Sequence, residues 1–244
     1  MVEFGLTGAF VFLGYVVYGL TGFGASVVAI PLIAQVLPLK LAVPMMLLMD
    51  IAAGFFVGLR NKREIARPEL MSIVPWVALG MVLGVTFLVN MPEQWLLLIL
   101  GTFATFQSIK NLYFKSNHSP LGSNWRVFYG SVGGLFTSLY GVGGTIYAIY
   151  FGHRISTETQ RRATLAFLIW LTGLGRLVLF LIAGLLIQDE LPTLAAICLP
   201  LCLFGVYCGS QLRKRLHLHH LNKTVWVIVG IAGLSLLART YKML

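Results

Sequence analysis

Eight apolar stretches fill about three quarters of this 244-residue chain, and the same glycine-rich pattern interrupts two of them. They run over about residues 4–37, 41–59, 71–90, 95–114, 126–152, 163–187, 193–212 and 224–241. A bilayer's hydrocarbon core is about 30 Å thick and takes about 20 apolar residues to cross as helix. Most of the stretches have that length, so the expected fold class is an all-α polytopic membrane protein. The composition agrees, with 58% hydrophobic and 11% charged residues. A soluble domain with so few charges could not cover its own surface. The net charge of +10 sits in short loops. There it sets membrane orientation, so membrane lipid is expected as surroundings and no nucleic acid as partner. No basic region or small-residue cleavage site marks a leader, so the first stretch is expected to be retained.

The first interruption is Tyr18-Gly19-Leu20-Thr21-Gly22-Phe23-Gly24-Ala25-Ser26, and the second is Thr137-Ser138-Leu139-Tyr140-Gly141-Val142-Gly143-Gly144-Thr145. The flanking pieces are roughly 9 to 15 residues, or about 14–22 Å as helix, too short to cross alone. They read as half-helices in a re-entrant hairpin or a discontinuous helix. Gly22 and Gly141 are 119 residues apart, and Gly24 with Gly143 and Gly54 with Gly173 repeat that offset. With small insertions Gly80, Gly84 and Gly101 match Gly205, Gly209 and Gly230. The chain therefore divides into a first repeat over 1–115, a linker over 116–125 and a second repeat over 126–244.

The loops set the repeats against each other. Arg60, Lys62, Arg63 and Arg67 follow the second stretch, whereas the matching loop is Gln188-Asp189-Glu190. The next loop, Asn90-Met91-Pro92-Glu93, faces a counterpart with Arg213, Lys214, Arg215 and Lys223. Lys40 stands alone where the other half has Arg154, Arg161 and Arg162. Basic short loops stay in the cytoplasm, so the repeats are expected to be inverted. Each would be a broken hairpin plus three spans, with seven or eight spans in all if the broken segments cross. Arg239 and Lys242 resist this, because they would place basic residues outside.

Paired, glycine-broken segments point to a carrier's substrate site. A half-helix that starts within the membrane presents unpartnered N–H groups and the positive end of its dipole, which suits an anion. The candidate binding residues are Thr21, Gly22, Gly24, Ala25 and Ser26 at the first break. At the second they are Tyr140, Gly141, Gly143, Gly144 and Thr145. The alternative for these glycines is tight helix crossing. Arg176 lies in the middle of 163–187, where a charge costs about 2.5–3.5 kcal/mol. It is expected to hold an anion or a carboxylate, with Thr172 and Gly173 on its helix face. Asp50 is equally central in 41–59. It would couple transport to protons, or else pair with Arg176 and fix the fold. Gln35, Gln107 and Asn111 are weaker polar candidates.

Cys198, Cys202 and Cys208 have no His or acid beside them and read as packing. The cluster His217, His219 and His220 reads as a solvated loop. No cofactor or metal is expected, and no hydrolase, kinase or dehydrogenase constellation is present, so the chain is not expected to be an enzyme.

Gly19-Leu20-Thr21-Gly22-Phe23-Gly24 running into Ile30-Pro31-Leu32, and Gly133-Gly134 leading to Tyr140-Gly141-Val142-Gly143-Gly144, resemble the TauE/SafE family of membrane proteins. The resemblance spans essentially the whole chain. It implies a duplicated inner-membrane transporter that exports sulfite or short organosulfur anions such as sulfoacetate. Tyr150 stands where the first half has Pro31, so the second hairpin is expected to bend or end differently. The reading is an exporter of a small sulfur oxyanion or sulfonate working by alternating access. An anion channel, a proton-coupled importer and a thiol relay through the cysteines are its rivals. The oligomeric state stays open, a homodimer included.

Overall fold

A computed structural model describes residues 2–21, 24–57, 64–113, 122, 124–215 and 218–241. The backbone alone is described for 2–4, 21, 55–57, 213–215 and 218–224. Arg60, Lys62, Arg63 and His217 lie outside the described residues.

The described residues form ten α-helices. They are α1 (Val2–Thr21), α2 (Ala25–Ile33), α3 (Leu39–Val57), α4 (Arg67–Asn90) and α5 (Glu93–Tyr113), then α6 (Trp125–Tyr140), α7 (Gly143–Arg154), α8 (Glu158–Ile182), α9 (Glu190–Arg215) and α10 (Leu218–Tyr241). Among the described residues Arg67–Asn90, Glu158–Ile182 and Glu190–Leu212 are each long and apolar enough to cross a membrane. Ile182, Ile187, Met71 and Phe204 point outward and are more than half exposed. Water would penalise those faces at about 25 cal/mol per Å², whereas lipid accepts them. The chain is a polytopic membrane protein, all-helical among the described residues.

Both glycine breaks separate a longer helix from a short one that folds back on it. α2 turns back on α1, so that Gly14 abuts Ala25 and Ala29. α7 turns back on α6, where the Thr137 and Tyr147 hydroxyls lie 2.9 Å apart. The lengths correct the expected 9 to 15 residues. α1 has 20 residues and α6 has 16, while α2 and α7 have 9 and 12. α1 runs straight through Gly19 because that glycine serves packing: a β-carbon there would meet the Val206 carbonyl and Gly209 of α9.

Helices pair across the chain. α1 lies along α9, α4 along α6, and α5 along α10. Glycines set how closely the pairs approach. A β-carbon on Gly80 would collide with the Ser131 carbonyl, and one on Gly84 with that of Leu135. On the other pair Gly205 abuts the Phe12 carbonyl and Gly209 that of Val16.

The short helices end far apart. Beyond α2, Arg239 donates to the Ala34 and Gln35 carbonyls, each at 2.9 Å. At that same end Lys40 donates to the Val89 carbonyl at 2.7 Å. α7 ends beside the other end of α4, where Arg154 meets Glu69 at 2.7 Å. α7 continues past Tyr150 to Arg154, whereas α2 stops at Ile33, soon after Pro31. The Tyr150 hydroxyl donates to Glu69 at 3.3 Å, an anchor that Pro31 cannot supply.

Candidate functional site

The tips of the two hairpins meet. Gly24 has φ +87° and leads directly into α2, and Gly141 has φ +71° and closes α6. Only glycine takes that left-handed conformation without a steric cost. The α-carbon of Gly141 faces the first hairpin: a β-carbon there would lie 2.8 Å from Ser26 Oγ and 3.2 Å from Arg176 Nη1. Two breaks distant in sequence thus share one point in space.

Around that point lie Asp50 of α3, Arg176 of α8, Ser26 of α2 and Tyr15 of α1. Tyr15 donates to Asp50 Oδ1 at 2.7 Å, and Ser26 donates to Oδ2 at 3.2 Å. Arg176 Nη1 stands 3.6 Å from Oδ2. That distance is long against the 2.7–2.9 Å or so of a charge-assisted hydrogen bond. The guanidinium also sits over the Phe180 ring, 5.5 Å from its centroid, a cation–π contact.

Arg176 is 3% exposed, yet its Nε and Nη2 find no hydrogen-bond acceptor among the described residues. Unsatisfied buried donors on a charged group are rare and call for a reason. Those two atoms form one edge of the planar guanidinium. Two parallel N–H groups on such an edge match two oxygens held on a single atom. Asp50 occupies the other side of the group, so pairing and ligand binding do not exclude each other on geometric grounds.

The remaining sequence candidates are distributed unevenly. Ala25 and Ser26 are the first residues of α2, and both are buried. Gly143 and Gly144 open α7, with Gly143 wedged against Thr137. Thr145 donates back to the Val142 carbonyl at 2.9 Å, and Tyr140 donates away from the tips, to the Leu96 carbonyl at 2.7 Å. Thr172 donates to the Ile169 carbonyl within its own helix. Thr21 is described by its backbone alone, and Gly22 lies outside the described residues. Gln35 and Asn111 bond backbone carbonyls. Cys198 and Cys202 are buried, with the Cys202 thiol 3.8 Å from the Met49 carbonyl.

Sequence reasoning passed over Tyr15, Tyr147 and Phe180. The repeat gave no help with Tyr15, because the position 119 residues on is Gly134. A tyrosine among aliphatic residues is ordinarily core, so no local signal singled it out.

A family model described as "Sulfite exporter TauE/SafE" matches residues 6–236. The chain is also similar to the "Probable inner membrane transporter protein TsaS" of Comamonas testosteroni. The two are 20% identical over 193 residues, which cover 79% of this chain and 81% of that one. No solved structure matches significantly.

Proposed function

The chain belongs to the TauE/SafE family of membrane transporters, and on that premise we propose that it exports a small sulfur oxyanion, sulfite or a short sulfonate such as sulfoacetate, across the inner membrane. The anion binds where the hairpin tips meet. The observation that carries this reading is the free Nε–Nη2 edge of the buried Arg176. The N-terminus of α2 adds its dipole and the Ser26 hydroxyl.

Alternating access follows from two inverted repeats that move against each other. Supporting the duplication, the contacts of Gly80 and Gly84 with Ser131 and Leu135 recur as those of Gly205 and Gly209 with Phe12 and Val16. Residues 131 and 135 fall 119 positions after 12 and 16, the same offset as the glycine breaks. The C-terminal ends of α2 and α7 also lie toward opposite ends of α4.

The test is thermal stability of the purified protein with sulfite, sulfoacetate, sulfate, acetate or chloride. A ligand that binds the folded state raises Tm with occupancy. Sulfite or sulfoacetate is expected to raise it and chloride is not. Arg176→Lys keeps the charge but loses the two-pronged edge, so it should bind sulfoacetate at least about tenfold more weakly. Equal shifts for all five anions would remove the sulfur specificity, and unchanged binding by the lysine variant would remove Arg176 from the site.

A further inference from the structure

We infer that Asp50 is an internal counter-anion which picks up a proton when substrate binds, so that one anion and one proton cross the membrane together. This rests on the reading that the substrate binds Arg176.

Charge balance in largely apolar surroundings is the reason, with the Arg176 side chain 4% exposed and that of Asp50 24%. Without substrate the carboxylate of Asp50 balances the guanidinium of Arg176, 3.6 Å away. A monovalent anion on the free Nε–Nη2 edge would put two negative charges against one positive charge. An uncompensated charge in such surroundings is strongly unfavourable. A proton on an Asp50 oxygen restores neutrality. The unloaded and loaded centres then carry the same net charge.

The surroundings of Asp50 suit both forms. Among the described residues its hydrogen-bond partners other than Arg176 are the hydroxyls of Tyr15 and Ser26. A hydroxyl donates to a carboxylate and can equally accept from a carboxylic acid. Neither protonation state therefore leaves a buried polar group stranded. Among the described residues, the other titratable groups near enough to interact with Asp50 are Tyr18 of α1 and Cys202 of α9. No second carboxylate faces Asp50 among the described residues.

Coupling of this kind is reciprocal: if the anion favours the proton, the proton favours the anion to the same degree. Two consequences follow. Anion affinity rises as pH falls, and the transport of a monovalent anion becomes insensitive to membrane voltage. A bare monovalent anion, by contrast, would be driven outward by about 2.3 kcal/mol per 100 mV, so coupled export forgoes that drive and runs on the anion's own outward gradient, against any inward proton gradient.

Methanesulfonate is the probe, because it stays ionised and brings no proton of its own. Calorimetric titration in buffers of different ionisation enthalpy counts the protons taken up on binding. The wild-type protein is expected to take up about one proton per anion, and Asp50→Asn none. In proteoliposomes, a methanesulfonate gradient should carry protons in the same direction, at a rate unchanged when valinomycin sets the potential. Binding that needs Arg176 but takes up no proton, with flux that follows voltage, overturns the coupling and leaves the anion site standing. Binding that is unchanged in Arg176→Lys overturns the site, and the coupling with it. The wild-type measurements decide the matter even if Asp50→Asn fails to fold.

Discussion

The pair Asp50–Arg176 separates structural from functional demands on a single side chain. Removing Arg176 alone strands Asp50, whose side chain is 24% exposed, so the cost falls below that of breaking a fully buried pair, about 3–5 kcal/mol. Arg176→Met is therefore expected to lower Tm by several degrees in detergent, whereas the double variant Asp50→Asn with Arg176→Met should recover most of that loss. Neither should bind methanesulfonate. Equal Tm values for the single and double variants would show that leaving Asp50 without its counter-charge costs nothing. Both charges stand out in the sequence, because mid-stretch ions are costly and therefore rare. Their meeting with Ser26 and Gly141 was less legible. It depends on α3, α8 and two hairpin tips converging, and no local pattern encodes convergence. Tyr15 was not legible at all, since its hydroxyl matters only through Asp50.

At the scale of helices, glycines do two different jobs, and the sequence alone does not separate them. Gly24 and Gly141 supply left-handed turns. Gly80, Gly84, Gly205 and Gly209 let one backbone lie against another. Gly173 does neither: among the described residues nothing lies within 4 Å of where its β-carbon would stand. Gly84→Ala would bring a methyl group to 2.6 Å from the Leu135 carbonyl. Overpacking of that kind costs about 1–3 kcal/mol, so its Tm should fall. Gly173→Ala should hold or raise Tm, since alanine favours helix by about 0.5–1 kcal/mol. A reversed order in thermal melts would contradict the described crossing of α4 and α6. The half-helices were legible as interrupted apolar segments, but the length of α1 was not. A glycine at a helix crossing looks in sequence like a glycine at a break, and only the neighbouring helix tells them apart. Arg239 is a similar case. Its position resisted the charge-based topology, yet it binds the carbonyls beyond α2, so a local partner accounts for it.

At the scale of the whole molecule, each half completes the other. α1 packs on α9, and α6 packs on α4. The halves 1–115 and 126–244 expressed separately should each be degraded, because each lacks the surface its first helix needs. Expressed together, they should assemble and bind the same anions as the intact chain, as read by co-purification and thermal shift. Stable accumulation of either half alone would show that the cross-pairing is dispensable. The apolar class and the paired breaks could be read from the sequence, since hydropathy and repetition are local properties. Which helix meets which is a long-range property and was not readable. The same pairing sets a schedule for synthesis. α4 meets α6 about 50 residues later, within about 3–10 s at 5–20 residues per second. α1 waits about 190 residues for α9, or about 10–40 s at those rates. During that interval its glycine-lined face, the side chain of Tyr15 included, has no permanent neighbour. The first helix made waits longest for its partner, so a newly made chain depends on the insertion machinery to shelter its N-terminus until α9 arrives.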